Sequence, residues 1–259
     1  MGDLNNIQQL NAHGFCHLPE VFSHAQVDEF KTQIQKYIDE NHEGIVHEAD
    51  SSAVRGIHGP HLYSEFFQAI TNKKEFLELA SSLLGEPCYV HQFKINIKRR
   101  MVGQHWPWHE DFVYWNKKDG IKEPNMLNIV IFLDKVELLN GPLCVIPSSH
   151  HIDDLTDVEA QDSAWQQDVS ASLTYQLSEK RVEALIKQYG VHYLMGNAGD
   201  VTAFHPKLAH SSANNMSPWD RQMVIITYNA ISNTPSLDKP DKRPAFLCSE
   251  DFTPLVAES

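Results

Sequence analysis

The sequence predicts a mainly β protein with flanking helices, in which the helices pack on a sandwich of antiparallel sheets. Helical patterns come first along the chain, and apolar, strand-like runs dominate from residue 88 onward. At 259 residues and 42% hydrophobic side chains, the chain is long enough to bury one sizeable core. We therefore expect one domain over 1–259, with helical support over 1–87, a β core over 88–235 and a C-terminal tail over 236–259.

The N-terminal third carries most of the helical signals. Residues 6–10 have the pattern of a short helix, and residues 14–18 have that of a strand. Ser23 and Gln26 have the spacing of a capping box, which predicts a helix that ends near Glu40. The apolar residues of this helix recur at helical spacing and are Val27, Phe30, Ile34 and Ile38.

The segment over 41–60 is polar and contains glycine, so it is predicted to be a loop. An amphipathic helix follows over 75–84 and ends at Gly85, because glycine commonly terminates helices. An insertion over 151–190 interrupts the later strands and contains a helix over Glu179–Tyr189. The strand-like runs themselves cover 88–97, 126–133, 143–146, 200–204 and 222–230.

Charge and cysteine usage exclude several classes of protein. The chain has 34 acidic and 21 basic residues and a net charge of −13, which disfavours binding to nucleic acid or to an anionic membrane. No apolar run is long enough to span a membrane and no signal peptide is recognised, so we expect a cytoplasmic protein. Four widely spaced cysteines are expected to be reduced thiols: Cys16, Cys88, Cys144 and Cys248.

The strongest functional signal is the segment that contains His109 and Asp111. In an extended strand, residues two apart point to the same face, so both side chains could bind one metal ion while Glu110 points away. His210 follows about a hundred residues later, near the end of another short apolar strand. Two imidazoles and one carboxylate are the facial ligand set of non-haem Fe(II) oxygenases, which leaves coordination positions open for a cosubstrate and O2.

Arg221 completes this pattern. It lies eleven residues after His210 and opens the last predicted strand, which would bring its guanidinium behind the metal. A guanidinium binds a carboxylate through two parallel hydrogen bonds, which a lysine does less well. The sequence therefore predicts an iron(II) site with 2-oxoglutarate as cosubstrate, held at its distal carboxylate by Arg221. His58, His61, His150 and His151 are left out of the metal site, because loop histidines usually face solvent.

Four stretches of the chain resemble the phytanoyl-CoA dioxygenase family, in particular its bacterial branch of ectoine hydroxylases and free amino acid hydroxylases. They are 89–96 (Tyr-Val-His-Gln-Phe-Lys-Ile-Asn), 106–112 with Trp115, 140–150 with its Asn-Gly-Pro-Leu and Pro-Ser-Ser-His phrases, and 204–221. The resemblance covers almost the whole chain. It implies a double-stranded β-helix core, a jelly-roll of the cupin-like kind, and hydroxylation coupled to oxidative decarboxylation of 2-oxoglutarate.

The resemblance also implies roles for individual residues near the cosubstrate. Gln92 and Asn96 lie four apart on one strand and therefore on one face, where the family has its 2-oxoglutarate side. A polar edge strand is the alternative for these two residues. Ser212 matches a family position that offers a hydroxyl to the same carboxylate as Arg221.

Four further residues are predicted to contact the substrate. The family has an aromatic residue at Trp115, and Phe204 is similar, with packing in the core as the alternative for both. Arg55, in a glycine-rich loop, matches a Val-Arg phrase of related enzymes, although a surface arginine is its ordinary interpretation. Arg243 is the second candidate for a substrate carboxylate.

Three functions are compatible with the pattern. The first is an iron(II)/2-oxoglutarate hydroxylase of a small free amino acid, the second a halogenase on the same scaffold, and the third a non-catalytic jelly-roll binding protein. Asp111 argues against a halogenase, since related halogenases lack that carboxylate. Retention of all three ligands and Arg221 argues against a vestigial site.

The substrate is expected to be a free L-amino acid. Leucine hydroxylases and lysine 4-hydroxylases of natural-product pathways share the phrases at 91–96 and 226–229. Lysine, hydroxylated at C4, is slightly preferred over leucine because an acidic protein attracts a cation. Another small metabolite, such as an ectoine-like or carrier-bound amino acid, is the alternative, and the oligomeric state is left open.

Overall fold

Two antiparallel sheets form the centre of the structure, a computed structural model that describes residues 2–49, 51–160, 164–236 and 242–257. The strands are β1 (Phe15–Leu18), β2 (Ile45–His47), β3 (Val54–His58), β4 (Cys88–Lys98), β5 (Trp106–His109), β6 (Met126–Phe132), β7 (Leu143–Val145), β8 (Val158–Glu159), β9 (Tyr175–Gln176), β10 (His192–Leu194), β11 (Val201–Phe204), β12 (His210–Ser212) and β13 (Arg221–Ala230). The helices are α1 (Gly2–His13), α2 (His24–Glu40), α3 (Glu65–Thr71), α4 (Lys74–Leu84), α5 (Phe112–Tyr114) and α6 (Glu179–Tyr189).

The larger sheet has seven strands in the order β1-β11-β6-β13-β4-β3-β2, and the smaller has four in the order β10-β7-β12-β5. Strands β8 and β9 form a separate pair. Consecutive strands of the chain repeatedly lie in different sheets, so the chain crosses between the two layers several times. This connectivity is that of a jelly-roll, and the predicted mainly β fold is confirmed.

Strand β13 shows why both faces of the larger sheet are apolar. Successive side chains of a strand point to opposite faces. Met223 and Ile225 pack in the apolar cluster between the two sheets, whereas Val224 and Ile226 pack in the larger cluster under the helices. The strand is therefore buried on both sides and carries an almost unbroken apolar run.

Helices α1, α2 and α4 cover the outer face of the larger sheet. Helix α2 begins as predicted, with a capping box in which Ser23 accepts from the Gln26 N–H at 3.4 Å and Gln26 accepts from the Ser23 N–H at 2.9 Å. It ends at Asn41, whose left-handed backbone terminates the helix. Its apolar face is buried against the sheet through Val27, Phe30, Ile34 and Tyr37.

The prediction of a loop over 41–60 is wrong. Strands β2 and β3 lie in this segment and extend the larger sheet beyond β4. All five residues of β3 are buried, including Arg55 and His58. The sequence signal failed because these strands are short and polar residues occupy buried positions, where hydrogen bonds and an ion pair replace apolar packing.

Other boundaries differ from the predictions by smaller amounts. Helix α1 covers Gly2–His13 rather than 6–10, and helix α3 and strand β10 were not predicted. Strand β11 begins at Val201, because the Asp200 N–H donates to the Asn197 carbonyl within the preceding turn at 3.1 Å. The helix predicted over Glu179–Tyr189 is confirmed, although β8 and β9 also lie in the predicted insertion.

All four cysteines are free thiols, as expected. Three of them are buried, and Cys144 is half-buried. Among the described residues, none of the helices combines the length and the apolar character that a bilayer span requires.

The capping box of α2 provides a test of the fold. Replacing Ser23 with Ala removes the side-chain acceptor for the Gln26 N–H, so we expect the free energy of unfolding to fall by about 1 kcal/mol. Urea denaturation measures this change. The matched control is Ser82→Ala, at an exposed position inside α4, which should leave stability unchanged or slightly raised because alanine favours helix. Equal effects of both changes would contradict a capping role for Ser23.

Candidate metal centre

The smaller sheet brings two histidines face to face. His210 on β12 is the direct register partner of His109 at the end of β5, and their ring centroids lie 4.1 Å apart. Directly opposite residues of an antiparallel pair hold their side chains on the same face of the sheet. The strand pairing itself therefore positions both imidazoles.

Asp111 joins the two histidines by a route that differs from the predicted one. Strand β5 ends at His109, and Asp111 has a helical backbone at the start of α5, so the two residues do not alternate along one strand. The chain turns because the N–H groups of Asp111 and Phe112 both donate to the carbonyl of Pro206. The Asp111 carboxylate nevertheless lies 3.9 Å from His109 Nε2 and 4.0 Å from His210 Nε2.

These three residues have the chemistry of a metal site. Their ligand atoms all lie within 4.8 Å of one another, and all three side chains are buried. The Nδ1 atoms of His109 and His210 contact the carbonyls of Pro107 at 2.7 Å and Leu208 at 2.8 Å. Because a carbonyl can only accept, each Nδ1 carries the proton and each Nε2 presents its lone pair to a metal.

Burial keeps the imidazoles neutral and therefore able to bind a metal. Loss of hydration lowers the pKa of His109 to about 3 and also lowers that of His210. Burial by itself would raise the pKa of Asp111, but the charge and the hydrogen bond of the Lys94 ammonium oppose this rise, and the pKa is lowered to about 2. The donor set is thus two neutral nitrogens and one carboxylate, the combination that suits iron(II).

Three residues that sequence reasoning missed orient the Asp111 carboxylate. Lys94 Nζ lies 3.3 Å from Oδ1, and Asn128 donates to Oδ2 at 2.9 Å. Thr227 in turn donates to the Asn128 side-chain oxygen at 2.7 Å. These side chains point inward from β4, β6 and β13, and inward-facing polar residues within apolar strand runs were the signal that could have identified them.

The metal centre opens into one cavity, and most of the predicted site residues line it. Ten of the eleven predicted residues line it, and Arg55 is the exception. The ten are Gln92, Asn96, His109, Asp111, Trp115, Phe204, His210, Ser212, Arg221 and Arg243. The cavity lies between the two sheets and is closed on one side by residues of the insertion.

One end of the cavity fits an anionic cosubstrate. Arg221 is buried, its NH2 group donates to the Gly141 carbonyl at 2.8 Å, and its Nε has no partner within the described part of the chain. The hydroxyl of Ser212 is also buried without a partner among those residues. Buried donors without acceptors are costly, and a carboxylate bound here would satisfy both. The residues present thus fit 2-oxoglutarate.

Gln92 and Asn96 lie on β4 and both line the cavity, and their contact with 2-oxoglutarate stays a prediction. The Gln92 amide donates to the carbonyl of Leu247 at 3.0 Å, which ties the C-terminal segment to β4.

Trp115 and Phe204 also line the cavity, and both are almost fully buried. Trp115 begins a π-helical turn over Trp115–Asp119, a rare form that widens a helix and often occurs at functional sites. Phe204 packs on the ring of His210 at 5.1 Å between centroids. Both residues therefore pack in the core and line the cavity.

Arg55 is neither a surface residue nor a lid residue. It lies on β3, forms a buried ion pair with Glu48 at 3.0 Å, donates to the His105 carbonyl and stacks 3.9 Å from the Trp106 ring centre. It does not belong to the lining residues. The geometry assigns it a structural role, because its carboxylate partner comes from the chain itself.

Arg243 does line the cavity, but its carboxylate partner is Asp119. Two guanidinium nitrogens contact the two Asp119 oxygens at 2.7 Å and 2.5 Å, and His91 contacts the same carboxylate at 3.1 Å. Asp119, His91 and Cys248 also lie close enough together for a metal site. The guanidinium already neutralises this carboxylate, so the cluster is an ion-pair network rather than a second cation site.

Two cavity residues carried no usable sequence signal. His58 was expected to face solvent, yet it is 3% exposed and its Nδ1 has no partner among the described residues. Asp168 lies in a short helical turn of the insertion and lines the cavity. Neither residue belongs to a periodic pattern or a motif, and only the tertiary fold brings them to the metal centre.

Comparison with known proteins identifies relatives that span almost the whole chain. L-proline trans-4-hydroxylase of Streptomyces griseoviridis is 40% identical over 247 residues, which cover 94% of this chain and 91% of that protein. The ectoine dioxygenase of Nocardia farcinica is 27% identical over 253 residues, covering 93% and 83%.

Solved structures of related fold also match almost the whole chain. The crystal structure of EctD from S. alaskensis with 2-oxoglutarate and 5-hydroxyectoine has a TM-score of 0.83 and 25% identity, and the match covers 98% of this chain and 86% of that chain. A structure of the same protein with bound Fe has a TM-score of 0.82 and 26% identity over the same shares. The family model for phytanoyl-CoA dioxygenase (PhyH) matches residues 10–223, and the chain therefore belongs to the phytanoyl-CoA dioxygenase family of iron(II)- and 2-oxoglutarate-dependent oxygenases.

Proposed function

We propose that this protein hydroxylates an unactivated carbon of a small free L-amino acid, using iron(II), 2-oxoglutarate and O2, and that L-proline is the first substrate to test. The observation that carries the proposal is the cluster of His109, Asp111 and His210 in a cavity that the donors Ser212 and Arg221 also line. An amino acid hydroxylase and an ectoine dioxygenase are among the relatives.

The three ligands and Arg221 have separate tasks. His109, Asp111 and His210 would hold iron(II) on one side and leave its other positions to the cosubstrate and O2. Arg221, with Ser212, would hold the distal carboxylate of 2-oxoglutarate. With both bound, the site would supply the oxidising power to insert one oxygen atom of O2 into a C–H bond, while the other oxygen atom enters succinate as 2-oxoglutarate loses CO2.

The remaining side chains keep the reaction dry and oriented. Apolar groups from both sheets face the cavity through Leu143, Phe204 and Ile225. An apolar wall excludes water and strengthens the electrostatic contacts that position the reactants. Asn128 and Lys94 fix the Asp111 carboxylate, which limits how far the metal can shift relative to the substrate.

The substrate class follows from charge and from the relatives. L-proline and ectoine, named for two relatives, are both small zwitterions with one carboxylate and one cationic nitrogen. Within the described lining residues, Asp168 is the one carboxylate besides Asp111, which suits a substrate with a single cation better than lysine. L-lysine and L-leucine, favoured by the sequence phrases, remain candidates, and C4 is the carbon proposed for L-proline and L-lysine.

A substrate panel tests the proposal. We expect purified protein with iron(II), 2-oxoglutarate and O2 to convert one of L-proline, L-lysine and L-leucine, with one oxygen atom gained and one succinate formed per product. Mass spectrometry under ¹⁸O2 detects the origin of the oxygen. Turnover of a carrier-bound amino acid or an acyl-CoA, with none of the three free amino acids converted, would contradict the free-amino-acid assignment and leave the oxygenase.

The metal ligands provide the next prediction. Since each supplies one bond to iron, His109→Ala, Asp111→Ala or His210→Ala should abolish turnover. Removal of a residue that only orients a metal ligand weakens metal binding by roughly 10- to 100-fold. Removal of a ligand itself should weaken iron(II) binding by more than that. Iron titration and circular dichroism measure binding and folding.

The matched control is Glu110→Gln, which changes the carboxylate next to Asp111. Glu110 points toward Thr156, which donates to it at 3.1 Å, and burial raises its pKa to about 7. This variant should bind iron normally. Loss of iron binding in Glu110→Gln, or full activity in a ligand variant, would show that the ligand set is wrong.

Arg221 provides a prediction about the cosubstrate. Arg221→Ala removes a charge-assisted pair of hydrogen bonds, so the KM for 2-oxoglutarate should rise by about 10- to 100-fold while that for the amino acid changes little. The KM for 2-oxoglutarate of Arg221→Lys should lie between those of the wild-type protein and Arg221→Ala. Arg100→Ala, at an exposed position, serves as the control and should change neither constant. An equal rise in both constants for Arg221→Ala would indicate a structural role.

A further inference from the structure

Asp168 has an unmatched oxygen at the wall of the active-site cavity. The residue is 8% exposed, and its Oδ1 accepts the Thr174 hydroxyl at 2.6 Å. Its Oδ2 is buried and has no partner within the described part of the chain. A buried carboxylate oxygen without a donor costs free energy. Because Asp168 lines the cavity, a ligand bound there can supply the missing donor.

The charges around the cavity indicate what kind of donor this is. Lys94 is paired with Asp111, and Arg243 has both arms on Asp119. Arg221 faces the cosubstrate end with Ser212. Each of these cations therefore has an anion of its own, or one supplied by 2-oxoglutarate, and the Asp168 carboxylate is left to a cation that enters with the substrate.

The surroundings of Asp168 make it a selective partner. Val169 and Leu173 line the cavity beside it, so the carboxylate lies at an apolar wall rather than in open solvent. Burial raises the pKa of Asp168, and the hydroxyl of Thr174 and the charges of Lys118 and Arg243 oppose this rise. In such surroundings a cation–carboxylate contact is stronger than in water.

We propose that Asp168 binds the protonated amino nitrogen of the substrate and thereby selects α-amino acids over carboxylic acids of similar shape that lack the α-nitrogen. The inference rests on the proposed function and deepens it. A secondary ammonium such as that of proline offers two N–H donors, and a primary ammonium offers three, so either can reach Oδ2 while Thr174 retains Oδ1.

The test compares each amino acid with its des-amino analogue in the protein loaded with iron(II) and 2-oxoglutarate, under anaerobic conditions. The pairs are L-proline with cyclopentanecarboxylate, L-leucine with 4-methylpentanoate, and L-lysine with 6-aminohexanoate. Calorimetric titration gives the dissociation constants. We expect the wild-type protein to bind the preferred amino acid about 10- to 100-fold more tightly than its analogue, as for a hydrogen bond to a charged group.

Asp168→Asn should remove most of that preference, because it should weaken the binding of the amino acid and leave the binding of the analogue unchanged. The asparagine keeps the shape of the side chain, and its amide oxygen can still accept from Thr174. Asp168→Glu should restore part of the preference. Glu183→Gln makes the same charge change on exposed α6, where Glu183 pairs with Lys187, and should leave both constants unchanged.

The outcomes separate the two proposals. If Asp168→Asn weakens the binding of the amino acid and of its analogue equally, Asp168 is structural and the inference is overturned. The same conclusion follows if the variant weakens 2-oxoglutarate binding by the same factor or lowers the melting temperature of the protein. If the wild-type protein binds none of the three amino acids yet forms succinate from 2-oxoglutarate, the substrate class and the role of Asp168 both fail. The oxygenase centre stands in that case.

Discussion

The pairing of β12 with β5 is the constraint on which the rest of the site depends. Because His210 and His109 are direct register partners, a slip of one residue would turn one imidazole away from the other. The Nδ1 contacts with Pro107 and Leu208 then fix the ring orientations. Asp111 is brought in by the turn at Pro206, so a single loop and a single strand pair assemble the three ligands.

Much of the fold and of the metal centre could be predicted from the sequence, because long apolar runs and short motifs report local structure. Strand β13, helix α6 and the meeting of His109, Asp111 and His210 were predicted on that basis, and the role of these three residues as iron ligands stays a prediction. The strand geometry of Asp111 was predicted wrongly, since a turn after β5 depends on a distant carbonyl. Arg55 was misplaced for a related reason: its strand is held by Glu48 and Trp106, which no local pattern shows.

The contacts of Arg243 connect the substrate side of the cavity to the end of the chain. Its bidentate contact with Asp119 joins the C-terminal segment to the π-helical turn that begins at Trp115, and His91 fixes the same carboxylate from β4. Breaking one partner of such a buried network leaves an uncompensated charge, which is strongly destabilising. The network therefore sets the position of Trp115, although it lies outside the metal centre.

The cavity is built from two parts of the chain with different origins in the fold. The sheets and the turn after β5 provide the proposed metal ligands and cosubstrate donors, whereas the segment between β7 and β10 provides Asp168, Val169 and Leu173. The end of that segment is tied to the metal side, because the Leu177 N–H donates to the Trp108 carbonyl of β5 at 2.9 Å. Exchange of residues between relatives is therefore expected to change the substrate wall with least effect on β5 when it is confined to 167–173, before β9.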